Sequence, residues 1–355
     1  MTDTNLNRIA SDSTRGALYG IAAAALFGAS TPFAKLLVPH VHPLMLASLL
    51  YFGATVALAI VTAAGPRPEA SLRWADAPRL AAIILTGGVL GPSLMLIGLA
   101  RVSAVTASLL LNLEAPFTIL FAVLLFGEHL GRKEAVAAGL LILGALLLAW
   151  APGELSGSAV GLIAIAAACI SWGFDNNLTQ RLSLRDPIAI VRWKAFGSSA
   201  ANMTLALLLG ASLPATSVVV AALTIGAASY GVSIVLDTYA LRLIGAAREA
   251  AYFATAPFFG ALMGMLLLGE RIGSQESAAA VLMIAGIVVL LRERHLHLHE
   301  HDELTHDHIH IHDEHHQHAH DAGLTSAEPH AHEHHHAPLS HAHAHSSDVH
   351  HRHRH

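Results

Sequence analysis

A lone carboxylate inside a long apolar run is the first chemistry this chain offers. Glu114 lies near the middle of a long, mostly apolar segment, with Asn112 before it and Pro116 two residues after. An ionisable side chain at membrane depth costs about 2.5–3.5 kcal/mol on insertion scales, so it faces protein or a water-filled path rather than lipid. Proline removes one backbone hydrogen bond and bends the helix, and the freed carbonyls need a neighbour or a cavity. Two roles suit Glu114: a carboxylate that couples protons or binds substrate, or a protonated carboxyl hydrogen-bonded to another helix for structure alone.

A second polar group follows further along. Asp175, Asn176 and Asn177 come first, then Arg192 and Lys194, then Asp237, then Arg248 and Glu249, three acids against three bases. Charges held in low dielectric need such balance. One reading makes Asp175, Lys194, Asp237 and Glu249 a gate or binding site for an ionic or zwitterionic solute. The other lets the long side chains snorkel to headgroups, with Glu249 favoured near the positive end of a helix. Tyr252 is a candidate contact beside this group, although tyrosines such as Tyr230, Tyr239 and Tyr252 commonly anchor at the membrane interface.

The third chemistry is imidazole. Of 27 histidines, 24 fall between His295 and His355. The first block reads His295, His297, His299, His301, His306, His308, His310, His312, His315, His316, His318 and His320, interspersed with Asp302, Asp307, Asp313 and Glu314. Neutral imidazoles on a flexible chain gather around zinc, nickel, cobalt or copper, and carboxylates add harder ligands. With no hydrophobic period, this tail is expected to be disordered without metal. A solvated tail with no role is the alternative. The single cysteine, Cys169, excludes an intrachain disulfide and any cysteine-built zinc site.

The elements that must position these groups are membrane spans. Apolar residues make up 54% of the chain and charged residues 13%. Apolar runs approaching the length of about 20 residues that crosses a bilayer recur along it, which excludes a water-soluble core. Apolar length and polar breaks predict ten spans, at roughly 16–37, 44–65, 80–100, 104–127, 133–151, 157–178, 187–209, 218–241, 246–268 and 274–291. No short apolar core with a cleavage site opens the chain, so no cleaved leader is expected.

The chain repeats itself. The interval from Gly127 to Gly269 equals that from Gly144 to Gly286, and the interval from Pro116 to Pro257 is shorter by a single position. Such constancy indicates duplication. Phe27-Gly28 and Trp172-Gly173 open the two halves alike, and small residues four apart at Gly87/Gly91 and Gly260/Gly264 fit close helix packing. The charged group has no counterpart around Met95, Leu96, Ala107 and Ser108, so one half alone was modified. Arg and Lys in short loops count twelve to three for the side holding the N-terminus, which predicts both termini in the cytoplasm. Five spans per half then force the halves to enter the bilayer from opposite sides. The fold expected is an all-α integral membrane protein: a short N-terminus over 1–14, repeats over 15–151 and 157–292, and the tail over 293–355.

Leu113-Glu114-Ala115-Pro116-Phe117 running into Phe126-Gly127-Glu128, and Ala256-Pro257-Phe258 running into Leu268-Gly269-Glu270, resemble the drug/metabolite transporter superfamily, in its family with two EamA domains. The resemblance covers about residues 15–292 and is specific for fold rather than substrate. It implies a secondary carrier of small metabolites, often an exporter, with a cavity between the halves and no required cofactor. The histidine tail departs from an ordinary member. Two rivals therefore stand beside a solute carrier with a metal-binding tail: a transporter of Ni²⁺, Co²⁺ or Zn²⁺ itself, and a membrane-anchored metal store. No nucleophile with a partnered base and no phosphate loop is present, so no enzyme is expected. The partners expected are a small-molecule or ion substrate and the lipid bilayer of the inner membrane. No nucleic acid is expected, and a homodimer is left open.

Overall fold

Backbone in hydrocarbon must satisfy its own hydrogen bonds, and the apolar region does so with helices. The computed structural model describes residues 3–64, 72–126, 130–150, 157–182, 185–244, 252–291, 295–301, 304–310, 330–336 and 339–345. The helices are α1 (Asp3–Leu37), α2 (Pro43–Ala64), α3 (Ala77–Ile83), α4 (Gly91–Leu99), α5 (Ala104–Leu110), α6 (Glu114–Phe126), α7 (Arg132–Ala149), α8 (Gly157–Gln180), α9 (Pro187–Leu208), α10 (Thr216–Gly226), α11 (Ser233–Ile244), α12 (Ala256–Leu268) and α13 (Ser274–Leu291). Three pairs run on through a different turn: α3 to α4 through a π-helical stretch Ile84–Leu90, α10 to α11 through another at Ala227–Val232, and α5 to α6 through a 3₁₀ turn Leu111–Leu113.

Among the described residues, seven segments are long and apolar enough to cross a bilayer: Thr14–His40, Pro43–Ala63, Trp74–Leu99, Ala104–Leu125, Ala159–Gln180, Thr216–Ala240 and Ser274–Leu291. The protein is thus a multi-pass membrane protein. The remaining expected spans correspond to α7, α9 and α12. Arg132, Lys133 and Glu134 open α7, Arg192 and Lys194 make α9 more polar, and α12 is described over 13 residues only. The outer surface is oily, with Leu124, Leu208 and Leu266 67–78% exposed, as lipid-facing side chains are.

Elements from the two parts of the chain pack on one another reciprocally. α1 lies against α11 and α12, while α8 lies against α4 and α6; α2 pairs with α9, and α7 with α13. Gly144 on α7 and its repeat Gly286 on α13 serve the last contact in both directions. A Cβ at Gly144 would stand 3.1 Å from the Ala279 carbonyl oxygen, and one at Gly286 3.0 Å from that of Ala137. Glu134 and Glu276 each accept a hydrogen bond from the backbone N–H of a glycine three residues earlier, at 2.8 and 2.9 Å, capping these two helices alike.

One end is clamped across the molecule. Gly269 takes a left-handed conformation at φ 65°, stopping α12 and turning Glu270 toward α5. The two carboxylate oxygens of Glu270 accept the N–H groups of Ala104 and Val105, each at 2.8 Å. From α1, Lys35 donates to the carbonyls of Leu99 and Val102. Together they fix the 100–103 connection from two sides, one cation on a helix C-terminus and one anion on a helix N-terminus. Glu270→Gln keeps a single acceptor and no charge, so it should cost about 1–2 kcal/mol. A melting temperature several degrees lower in detergent is the expected reading.

In the tail, β1 (His295–His301) pairs antiparallel with β4 (Leu339–His345), and β2 (Leu304–His310) with β3 (His330–His336). The sequence pattern led instead to an expectation of disorder. His-x-His has the period of two that suits a strand, although no hydrophobic period marks it.

Candidate functional site

The break at Leu111–Leu113 is where sequence chemistry becomes geometry. Pro116, third residue of α6, lacks an N–H, and its ring would strike the carbonyl of Asn112 in a continuous α-helix. The backbone tightens there instead. The Asn112 side chain donates to the Leu109 carbonyl at 2.9 Å, helping to satisfy the interrupted ladder. Glu114 then sits at the first position of α6.

The carboxylate of Glu114 is held from α8. Asn176 Nδ2 donates to Glu114 Oε1 at 2.7 Å and reaches Thr118 Oγ1 at 3.3 Å, while Thr118 donates to the Glu114 carbonyl at 2.9 Å. Asn177 ties the same helices together, donating to the Thr118 carbonyl at 3.0 Å and to its own helix at Gly173 at 2.8 Å. Such close approach depends on Gly173, where a Cβ would stand 2.9 Å from the Phe117 backbone. Gly28 plays the matching part on α1, where a Cβ would fall 2.1 Å from the Ala256 carbonyl oxygen. In each aromatic-glycine pair the glycine admits a neighbouring backbone and the ring, Phe27 or Trp172, faces the cavity.

That cavity measures about 430 Å³ and is walled by both parts of the chain. Glu114, Asn112, Asn176, Ser108, Ser30 and Thr31 supply polar groups; Phe27, Trp172, Tyr230 and Phe253 supply rings. Phe27 lies 5.7 Å from Tyr230 and 5.2 Å from Phe253 between centroids, and Tyr230 lies 5.6 Å from Tyr51.

Asp175, one residue before Asn176, points elsewhere. Its Oδ2 accepts from Lys194 Nζ at 2.5 Å, the two side chains 3% and 19% exposed. The carboxyl presses on Gly87, where a Cβ would come within 2.2 Å of it. The Gly87 carbonyl in turn receives Tyr51 OH at 3.1 Å and Trp172 Nε1 at 3.0 Å. The repeat places Ser30 opposite Asp175, just as Phe27 matches Trp172, and Ser30 meets Tyr230 OH at 3.5 Å.

Glu114, Asn112, Asp175 and Lys194 thus fall in one neighbourhood. Asp237 is half-buried on α11 and does not line the cavity. Arg192 donates to Thr62 Oγ1 at 3.0 Å, away from Asp175. Tyr252 packs over Gly20, and its neighbour Phe253 occupies the wall. Tyr230, read from sequence as an interfacial anchor, is a wall residue carried inward on the π-helical stretch. Gly87 and Tyr230 occupy matching places inside the two π-helical turns, a correspondence that only the structure shows. Glu249 and Arg248 lie outside the described residues, as do His312, His315, His316, His318 and His320. His295, His297, His299, His301, His306, His308 and His310 are placed by backbone alone, on β1 and β2. Among the described residues no three potential metal ligands cluster.

Comparison with known proteins divides the chain in the same way. The EamA-like transporter family matches it twice, over residues 14–150 and 159–292. An uncharacterized transporter of Methanothermobacter thermautotrophicus is 30% identical over 290 residues, covering 76% of this chain and 84% of that protein. A probable amino-acid metabolite efflux pump of Salmonella typhimurium is 27% identical over 198 residues, 52% of this chain and 66% of that protein. A solved crystal structure, 20% identical, superposes with a TM-score of 0.56 over 78% of this chain and 96% of its own, a likeness of fold.

Proposed function

Because this chain belongs to the EamA-like transporter family, a family of transporters and not of enzymes, we propose that it is a secondary active carrier of small polar solutes of the metabolite or amino-acid type. It works by alternating access between two inverted five-helix repeats, ten spans in all. The observation that carries this reading is a cavity walled by both halves with one carboxylate at a broken helix. The reciprocal packing of α1 and α8 and the π-helical turns at matching places in the two halves support the repeat. Glu114 is the coupling or substrate group and Asn112 and Asn176 position it. The Asp175–Lys194 pair belongs to the moving interface, with Asp237 and Tyr252 near its margin, and Glu249 is proposed as a further solute or coupling group on its sequence alone. The loop excess of Arg and Lys supports cytoplasmic termini in an inner membrane.

Purified protein in proteoliposomes should show saturable counterflow of at least one member of a panel of amino acids and amines under an imposed pH gradient. Absence of counterflow across the panel would sink the reading.

The tail binds divalent metal as a cytoplasmic buffer or sensor, its alternating histidines supplying the ligands. Deleting residues 295–355 should abolish stoichiometric Zn²⁺ or Ni²⁺ binding in calorimetry while solute counterflow stays within about twofold of the full chain. Metal as the cargo would require flux of the ion itself to vanish with the tail. That alternative draws less support, since among the described residues the cavity wall offers one carboxylate and neither histidine nor thiolate.

A further inference from the structure

We propose that the cavity selects an organic monocation, an ammonium borne on an aromatic or otherwise apolar body, over a carboxylate or a zwitterion of similar size. This rests on the carrier reading above and narrows its cargo.

Charge comes first. Among the described residues Glu114 is the one charged side chain in the wall. Lys194, the cation of the neighbourhood, is engaged by Asp175 and does not line the cavity. A solute carboxylate entering this space would meet a like charge at short range with no positive partner to offset it.

Hydrogen-bond donors tell the same story. An anion needs N–H or O–H groups, and the N–H groups of the wall are committed: Asn176 to Glu114 and Thr118, Trp172 to the Gly87 carbonyl, Asn112 to the Leu109 carbonyl; the hydroxyls of Ser30, Thr31 and Ser108 can turn to donate or to accept and so favour neither sign. The fixed acceptor left unmet is a carboxylate oxygen. Glu114 Oε2 is open beside the bonded Oε1, and the buried hydroxyl of Ser108 has no protein partner among the described residues. An ammonium brings up to three donors and no acceptor, which is the complement of this wall. The rings of Phe27, Trp172 and Tyr230 add favourable faces for a cation and contact area for the apolar body. A volume of about 430 Å³ suits a small ligand of this kind.

The test is protection of Glu114 from a carbodiimide in the full-length protein, read by mass spectrometry of the peptide carrying it, with phenylethylamine, phenylacetate and phenylalanine as probes. Phenylethylamine should protect at concentrations at least about tenfold below the other two, the margin that one unpaired charge-assisted hydrogen bond gives. Phe27→Leu should raise the protecting concentration of the amine about fivefold, since it removes a ring face. Protection by phenylacetate or phenylalanine at or below the amine's concentration overturns the proposal, as does no protection by any probe. Counterflow of the same probes separates the two readings. Flux of phenylalanine without amine protection leaves the carrier standing and removes the cation preference. Amine protection without any flux keeps the preference and removes the carrier.

Discussion

Glu114→Gln is expected to reduce solute counterflow between tenfold and a hundredfold and to leave the residual flux without pH dependence. Glutamine is nearly isosteric, and its carbonyl can still accept the Asn176 N–H that Glu114 Oε1 takes at 2.7 Å, so the α6–α8 contact survives. What disappears is the negative charge and the capacity to exchange a proton. Charge-assisted hydrogen bonds are worth about 1.5–3 kcal/mol, or roughly ten- to a hundredfold in binding. Flux against external pH in proteoliposomes, compared with the melting temperature of the same preparation, separates this role from a structural one. A variant that melts lower but transports with the original pH profile would make Glu114 a packing residue.

The second large effect is on folding. Asp175→Asn leaves the Lys194 ammonium in a site built for a pair, and Lys194→Met leaves a carboxylate pressed on Gly87. Breaking a buried pair by removing one partner costs about 3–5 kcal/mol, because the remaining charge has no compensation. Each single variant should therefore show a marked loss of melting temperature and yield. The double variant, neutral on both sides, should regain most of it. Non-additivity is the reading: a double variant as unstable as the sum of the singles would mean the two groups do not depend on each other.

Much of this architecture could be read before any coordinates. Apolar length located the helices, and the recurring interval that links Gly144 to Gly286 foretold two elements doing one job, which proved to be each other's close approach. Glu114 stood out because a charge amid apolar residues needs a reason. Less legible was direction around a helix axis. Asp175 and Asn176 are neighbours in sequence but about 100° apart around the helix, so one meets Lys194 and the other Glu114. The same one-residue rotation put Phe253 in the wall where Tyr252 was expected. Asp237 and Arg192 balance the charge of the polar group in sequence yet sit apart from Asp175, since summed charge says nothing about which face a side chain occupies. Tyr230, whose residue type suits a membrane interface, faces the cavity for a related reason: a π-helical stretch shifts the register of everything it carries, and composition does not announce it.

The two halves beside the cavity are not equivalent. Where the repeat would place like against like, Ser30 meets the phenol of Tyr230 on one side, while on the other Asp175 fills the space left by Gly87 and holds Lys194. A machine of two interchangeable halves would idle equally in its mirror-image postures. A lock fitted in one half alone would tilt that balance, by a factor of ten in population for about every 1.4 kcal/mol of difference. Evolution could thus set the posture in which such a carrier waits for cargo by editing two side chains, without touching the groups that hold the cargo itself.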